Sequence, residues 1–173
     1  MKSELRTQSS SRRNFLKGNF TKLVHRVRPP WSITEQLFLE CCTRCNDCIN
    51  ACPEHLLKQA EDHYPQASFV KAGCTYCAEC LEACKTGALQ GLRTDIDQAW
   101  QHVMRVNDNC LSVKGVVCRA CGDHCDARAI GFTLLTGGRS LPEINPAACN
   151  GCGQCIPSCP ADAITIHDNL EVA

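Results

Sequence analysis

Apolar positions along the chain come in short bursts, and one burst recurs. Four segments read P-E-H-L-L (53–57), K-T-G-A-L (85–89), D-A-R-A-I (126–130) and P-A-D-A-I (160–164). Each places Ala or Leu and then Leu or Ile at the same offsets, a spacing that predicts one helical turn with a single apolar side. Ala163–Ile166 predicts a short strand after the last turn, and Ala67–Val70 and Leu141–Ile144 predict short strands ahead of the second and last cysteine-rich loops. Recurrence at fixed offsets marks an internal repeat. Its unit is strand, cysteine-rich loop, short helix, used four times. Arg28-Pro29-Pro30-Trp31 stands outside the repeat and reads as a stiff, extended linker leading into it, with Trp31 packed on the first module. No stretch approaches the roughly 18–20 apolar residues of a membrane-spanning helix, so no membrane span is expected.

Composition changes the picture of the core. Hydrophobic residues make up 44% of 173, but 17 of them are cysteine and aromatics are only 5%. A chain so poor in large apolar side chains borrows stability from cross-links or metals.

Sixteen of the cysteines fall into four groups. Cys42, Cys45, Cys48 and Cys52, then Cys74, Cys77, Cys80 and Cys84, and finally Cys149, Cys152, Cys155 and Cys159 each follow C-x2-C-x2-C-x3-C. Cys110, Cys118, Cys121 and Cys125 are looser, C-x7-C-x2-C-x3-C. Disulfides fit poorly, because the total is odd and three cysteines at successive three-residue intervals are badly placed to bridge one another. A zinc ribbon uses separated C-x2-C pairs and has no role for a third cysteine three residues on. The full run is the bacterial signature for a [4Fe–4S] cluster.

The spacing has a geometric reason. A cubane has four iron corners, and three cysteines on a tight loop can wrap three corners of one face. The fourth needs a distant ligand, which in two-cluster ferredoxins is the fourth cysteine of the other run. That rule gives one cluster to Cys42, Cys45, Cys48 and Cys84, and a second to Cys74, Cys77, Cys80 and Cys52. A third falls to Cys149, Cys152, Cys155 and Cys125, and a fourth to Cys110, Cys118, Cys121 and Cys159. The fourth site has its wrapping loop interrupted by L-S-V-K-G-V-V, so the count is three or four [4Fe–4S] clusters, with the same cysteines as iron ligands. Cys41 would break the x2 spacing that Cys42 satisfies and reads as a plain buried thiol; His124 reads as a bystander. The fold class is α+β: tandem 2[4Fe–4S] ferredoxin-like modules of short strands and short helices at about 31–98 and 99–173, preceded by a basic, flexible tail over 1–30.

Charge is divided unevenly. Residues 1–30 hold eight basic residues against Glu4 alone, a net +7, which leaves −7 on the remainder. A basic tail on an acidic body contacts a partner or folds back on that body. Within the tail, Ser11-Arg12-Arg13-Asn14-Phe15-Leu16-Lys17 matches the start of a twin-arginine export signal. A complete signal also needs an apolar stretch and a small-residue cleavage site. Here Lys22, His25, Arg26 and Arg28 interrupt the next stretch of chain, and no A-x-A occurs. The expectation is a cytoplasmic tail that copies the first part of a signal. No nucleophile–base pair, phosphate loop or open metal site is visible, so the chain is not expected to be an enzyme.

Taken together, the early S-R-R, then R-P-P-W, E-C-C-T-R-C-N-D-C-I-N-A-C, C-T-Y-C-A-E-C-L-E-A-C, the irregular third run and the closing C-N-G-C-G-Q-C resemble the NapF family, ferredoxin-type proteins of periplasmic nitrate reductase systems. The resemblance covers about 11–166. The usual Pro is missing after Cys84 and Cys125, where Lys85 and Asp126 stand. The resemblance implies a cytoplasmic accessory protein that binds the catalytic subunit of periplasmic nitrate reductase and assists maturation of its iron–sulfur/molybdenum site before export. A soluble electron carrier between redox enzymes is the alternative. Arg12, Arg13, Phe15 and Leu16 are the tail residues through which a client would be engaged; no nucleic-acid partner is expected.

Overall fold

The computed structural model describes residues 26–168. The twin-arginine-like segment, with Arg12, Arg13, Phe15 and Leu16, lies outside the described residues. In chain order the elements are α1 (Glu35–Cys41), α2 (Asp47–Ala51), β1 (Leu57–Gln59), β2 (Pro65–Ala67), α3 (Glu79–Ala83) and a 3-10 turn (Ile96–Gln98). They continue with β3 (His102–Val106), α4 (Ala120–Asp123), β4 (Ile130–Leu134), β5 (Ser140–Ile144) and β6 (Ile164–Asp168). The four helices among the described residues are too short to be stable alone, so packing around the cysteine loops must hold them.

The strands form three antiparallel pairs: β1 with β2 in register Leu57 to Ala67, β3 with β6 in register His102 to Asp168, and β4 with β5 in register Ile130 to Ile144. The two halves share a plan. Hairpin β1–β2 answers to β4–β5. The pairing of the outer strands β3 and β6 answers, in the first half, to a single bridge between Ser32 and Leu89. That bridge is extended by the Ile33 N–H donating to the Ala88 carbonyl and the Gln90 N–H to the Trp31 carbonyl.

Two sequence expectations are corrected. The recurring apolar segments are not helical. The helical turns α2, α3 and α4 each hold the third cysteine of their run and end before the fourth, which follows α2 and α3 directly in extended backbone. After the fourth cysteine the chain makes a turn with a left-handed residue at the same offset in all four repeats: His55 (φ 50°), Gly87 (φ 76°), Arg128 (φ 52°) and Asp162 (φ 47°). A strand or bridge residue follows, and the predicted apolar positions are buried there: Leu56, Leu57, Ala88, Leu89, Ala129, Ala163 and Ile164. The second correction concerns Ala67–Val70. The strand there is β2, which ends at Ala67; Phe69 leaves the sheet to pack inward at 4% exposure.

Arg28–Trp31 is not a free linker. Pro29 and Pro30 are fully buried, and Trp31 is 2% exposed, as the sequence leads one to expect. The Val27 carbonyl accepts the Ala67 N–H at 2.7 Å. The Arg28 side chain is 8% exposed, makes a two-pronged pair with Glu35 (2.9 and 2.7 Å) and lies over the rings of Phe38 and Tyr64 at 5.1 and 5.4 Å. The apolar interior runs from Trp31 and Phe38 through Phe69 and Trp100. It continues to a smaller group of Met104, Cys121, Cys155 and Ile164, with Ile156 and Ile166 touching both.

Candidate metal centres

The sixteen cysteines line four cavities, four to a cavity. Cys42, Cys45 and Cys48 share one with Cys84; Cys74, Cys77 and Cys80 share another with Cys52. Cys149, Cys152 and Cys155 share a third with Cys125, and Cys110, Cys118 and Cys121 a fourth with Cys159. Each run thus lends its fourth cysteine to a neighbour. The four cavities are partly open to solvent and nearly equal in size, 310–340 Å³ with the open space included, and the rest of each lining is largely apolar. A void of one size repeated four times argues for one kind of occupant.

The local backbone explains how three cysteines wrap each cavity. The residues on either side of the second cysteine are left-handed in all three regular runs: Arg44 and Asn46, Tyr76 and Ala78, Gly151 and Gly153. For a non-glycine residue this costs about 1–2 kcal/mol, a strain that persists only where the surroundings over-determine it. The irregular run solves the problem differently. Its inserted residues pinch into a turn, in which the Val116 N–H donates to the Leu111 carbonyl at 2.9 Å and the buried Ser112 hydroxyl to the Cys118 carbonyl at 2.8 Å. Cys110 and Cys118 are thereby returned to the same cavity.

The donor set fits a cubane better than a single ion. Among the described residues no three His, Cys, Asp or Glu side chains converge tightly enough for one metal ion; the thiols ring a volume instead. N–H groups point at the sulfurs: Tyr76 at Cys74 (3.4 Å), Ala129 at Cys125 (3.2 Å) and Ala163 at Cys159 (3.2 Å). Such donors favour the anionic thiolate that an iron ligand must be. Burial works the other way. It pushes Cys48, Cys80 and Cys155 up to about 12 and Cys74 and Cys121 up to about 11, with neighbouring thiols of the same cavity adding to the rise. Burial also raises Cys152. At Cys84 burial is outweighed by the Thr86 hydroxyl and the N–H groups of Leu89, Thr86 and Ala88, which hold the thiol below its ordinary value. Buried thiols of this kind become thiolates only where compensating positive charge enters, as four irons would supply.

Neighbouring cavities follow one another through the molecule. Cys48 lines the first cavity and Cys52, four residues on, the second; Cys121 lines the fourth and Cys125 the third, so the first cavity adjoins the second and the third adjoins the fourth. The second meets the third through backbone: the Cys74 N–H donates to the Cys152 carbonyl at 2.7 Å and the Tyr76 hydroxyl to the Asn150 carbonyl at 2.8 Å. A Cβ on Gly73 would stand 2.6 Å from the Gln154 nitrogen, so the approach is as close as a bare backbone permits.

Cys41 lines none of the four cavities and is half-buried at the end of α1, not fully buried. His124 borders the third cavity but is exposed, with Nδ1 2.9 Å from the Ala120 carbonyl oxygen. Sequence reasoning missed Tyr76 and Thr86, because the runs are read from their cysteines alone and the residues among and just after them carry no pattern of their own.

Known proteins resemble this chain in two ways. A 4Fe-4S dicluster domain model matches residues 36–85, and a 4Fe-4S binding domain model matches residues 141–164. The chain is 41% identical over 168 residues to the ferredoxin-type protein NapF of Haemophilus influenzae, covering 91% of this chain and 93% of that protein. It is 40% identical to NapF of Escherichia coli K12, covering 90% and 93%. The ferredoxin-type protein NapG of Escherichia coli K12 is 34% identical over 78% of this chain and 66% of that protein. With short strands, short helices and cysteine quartets in place, the chain belongs to the NapF family of ferredoxin-type iron–sulfur proteins.

Proposed function

We propose that this chain is a cytoplasmic, non-enzymatic accessory protein carrying four [4Fe–4S] clusters. It binds the catalytic subunit of a periplasmic nitrate reductase and assists maturation of that subunit's iron–sulfur/molybdenum site before export. The ligands are the four quartets described above, arranged as two modules over 31–98 and 99–173. The observation that carries the cluster reading is the sharing of each cavity by three cysteines of one run and the fourth of another. Likeness to NapF over nine-tenths of the chain supports the nitrate reductase reading. Among the described residues no helix is long and apolar enough to cross a membrane. When bound, a [4Fe–4S] cluster accepts and returns one electron with little change of shape. The chain's own work is to exclude water with apolar linings, direct N–H groups at sulfur and keep the sites in fixed succession.

The second reading, a free electron carrier, is favoured by the close meeting of the second and third cavities at Cys74 and Cys152. The two readings separate on a client. Tagged protein recovered from cytoplasm without oxygen is expected to bring down the reductase catalytic subunit in stoichiometric amount. Deletion of residues 1–25, which spares the packed Arg26–Trp31 segment, is expected to weaken that capture while iron content is unchanged. Transient, unselective association with several redox enzymes would instead establish the carrier. Iron analysis sets the number of clusters: about 16 irons per chain for four, about 12 for three.

A further inference from the structure

The irregular run holds more chain than cluster wrapping needs. Two residues separate its second and third cysteines, as in the regular runs, but L-S-V-K-G-V-V separates the first from the second. Leu111 lines the fourth cavity and Ser112 is buried, whereas residues 113–117 are all exposed. Val113, Val116 and Val117 are 41, 53 and 77% exposed. Holding Cys110 and Cys118 to the cavity explains the two inward residues and leaves the valines without a task.

The inserted turn lies along the β4–β5 hairpin. At its tip a Cβ on Gly115 would stand 3.7 Å from the Arg139 Cδ, and at its base the Arg119 guanidinium lies 4.4 Å from the centre of the Phe132 ring. Ile130, Phe132 and Leu134 share one face of β4. The first two pack against the core, while Leu134, 77% exposed, carries that face beyond it and pairs with Ser140, next to Arg139. A single exposed valine needs no explanation; apolar residues grouped on adjoining segments and rimmed by polar groups mark an interaction site. The rim here has one sign. Residues 111–122 and 130–142 contain Lys114, Arg119 and Arg139, all exposed, and no Asp or Glu; Asp108, Asp123 and Glu143 stand beyond their ends. The chain after residue 30 is otherwise acidic, so this face differs in charge from the body that carries it.

We propose that the inserted turn and the outer end of the β4–β5 hairpin form the face on which the catalytic subunit docks, through a surface of that subunit with an apolar centre ringed by carboxylates. The inference rests on the client reading given above and adds where and by what chemistry the client is held. Charge complementarity selects the partner. Residues 1–30 of this chain, at net +7, are repelled by the face, whereas an acidic partner is repelled by the rest of the body and directed here. Docking here seats the partner beside the fourth cavity, because Cys118 follows Val117 directly and Pro142, opposite Phe132 in the hairpin, lines the same cavity.

The test mixes the full, cluster-loaded chain with purified catalytic subunit without oxygen. Val117→Asp, Leu134→Asp and Lys114→Glu change exposed side chains, and iron and sulfide content checks that the clusters stay. Each variant is expected to bind about tenfold more weakly or worse, and wild-type binding is expected to weaken as salt rises. Val70→Asp, at a valine 73% exposed in the first half, is expected to bind as the wild type does. Unchanged binding by the three variants overturns the inference, and so does an equal loss in Val70→Asp. Carbodiimide cross-linking, which joins an amine to a carboxylate as an amide, needs no variant. Lys114 is expected to be joined to the client, and bonds formed only at Lys58, Lys71 or Lys85 overturn the inference. Dimers of the wild-type chain that the three variants abolish would overturn it in favour of a second copy on this face. A wild-type chain that does not bind the catalytic subunit sinks the client reading and the docking face with it, whereas binding that all three variants retain sinks the docking face alone.

Discussion

At the scale of single residues, the thiols decide how the sites respond to protons. Burial raises Cys48, Cys74, Cys80, Cys121, Cys152 and Cys155, so all six are protonated at pH 7 in the absence of iron. Cluster assembly must expel those protons. Reconstitution of the reduced, cluster-free chain at pH 7 in weak buffer is therefore expected to release at least six protons per chain, one for each of these thiols, with cluster retention weakening as pH falls. The cluster-free fold has the opposite sign. A thiol whose folded value is raised stabilises the fold below its unfolded value and loses that contribution as pH climbs toward the folded value. Melting temperatures of the reduced apo-chain should hold up to about pH 9 and drop between about 9 and 12, the window set by Cys48, Cys80 and Cys155. A melting temperature that rises across this window would contradict the burial argument. The interleaved quartets are checked separately. Cys84→Ser should disturb the cluster held by the first run and Cys52→Ser that held by the second, each leaving the cluster of its own run the less affected.

At the scale of elements, the cysteine spacing was legible and the secondary structure between the cysteines was not. Three corners on a loop and a fourth from elsewhere is a constraint of inorganic geometry, so the grouping could be read from numbers of residues. D-A-R-A-I or P-A-D-A-I, by contrast, is too short for periodicity to separate a helical turn from a left-handed turn entering a strand. What decides is one backbone angle at Arg128 or Asp162, and neither residue type announces it. Phe69 misled for a similar reason: an aromatic beside Val reads as strand, but tertiary packing against Trp100 takes it out of the sheet. The repeated turn is testable at Gly87, where φ is 76° and an added Cβ would meet only the Gln90 side chain at 3.5 Å. Gly87→Ala should cost about 1 kcal/mol through backbone conformation alone, and Gly87→Asn less, because Asn enters the left-handed region more readily. The rate of cluster bleaching in mild denaturant, followed by visible absorbance, would rank the three proteins. Equal rates would show that the turn is not under this constraint.

At the scale of the whole molecule, one contact seats the entering segment on the first half and another joins that half to the second; pairs such as Arg28 with Pro65 and Cys74 with Cys152 lie far apart in the chain and were hidden from sequence. Arg28 ties the entering segment to α1 and β2 through Glu35, the Phe38 and Tyr64 rings and the Pro65 carbonyl at 3.3 Å. A lysine cannot reproduce the planar two-pronged pairing and ring contact. Arg28→Lys is expected to lose about 1–2 kcal/mol, since Glu35 is 55% exposed and only partly contributes. The other contact is the junction of the two inner cavities. Gly73 lies where any side chain would collide with backbone, 2.6 Å from the Gln154 nitrogen and 2.8 Å from the Cys152 carbonyl oxygen, and backbone has no rotamer by which to yield. Gly73→Val must therefore separate the second loop from the last one, breaking the Cys74–Cys152 hydrogen bond while leaving every cysteine in place. Iron content should be retained, the segment 92–99 should become open to proteolysis, and magnetic interaction between the inner reduced centres should weaken. Such an outcome would distinguish a series of sites fixed by the fold from two modules that merely share a chain, because only in the former does a methyl-bearing side chain at a glycine outside every cysteine run change how the centres sense one another.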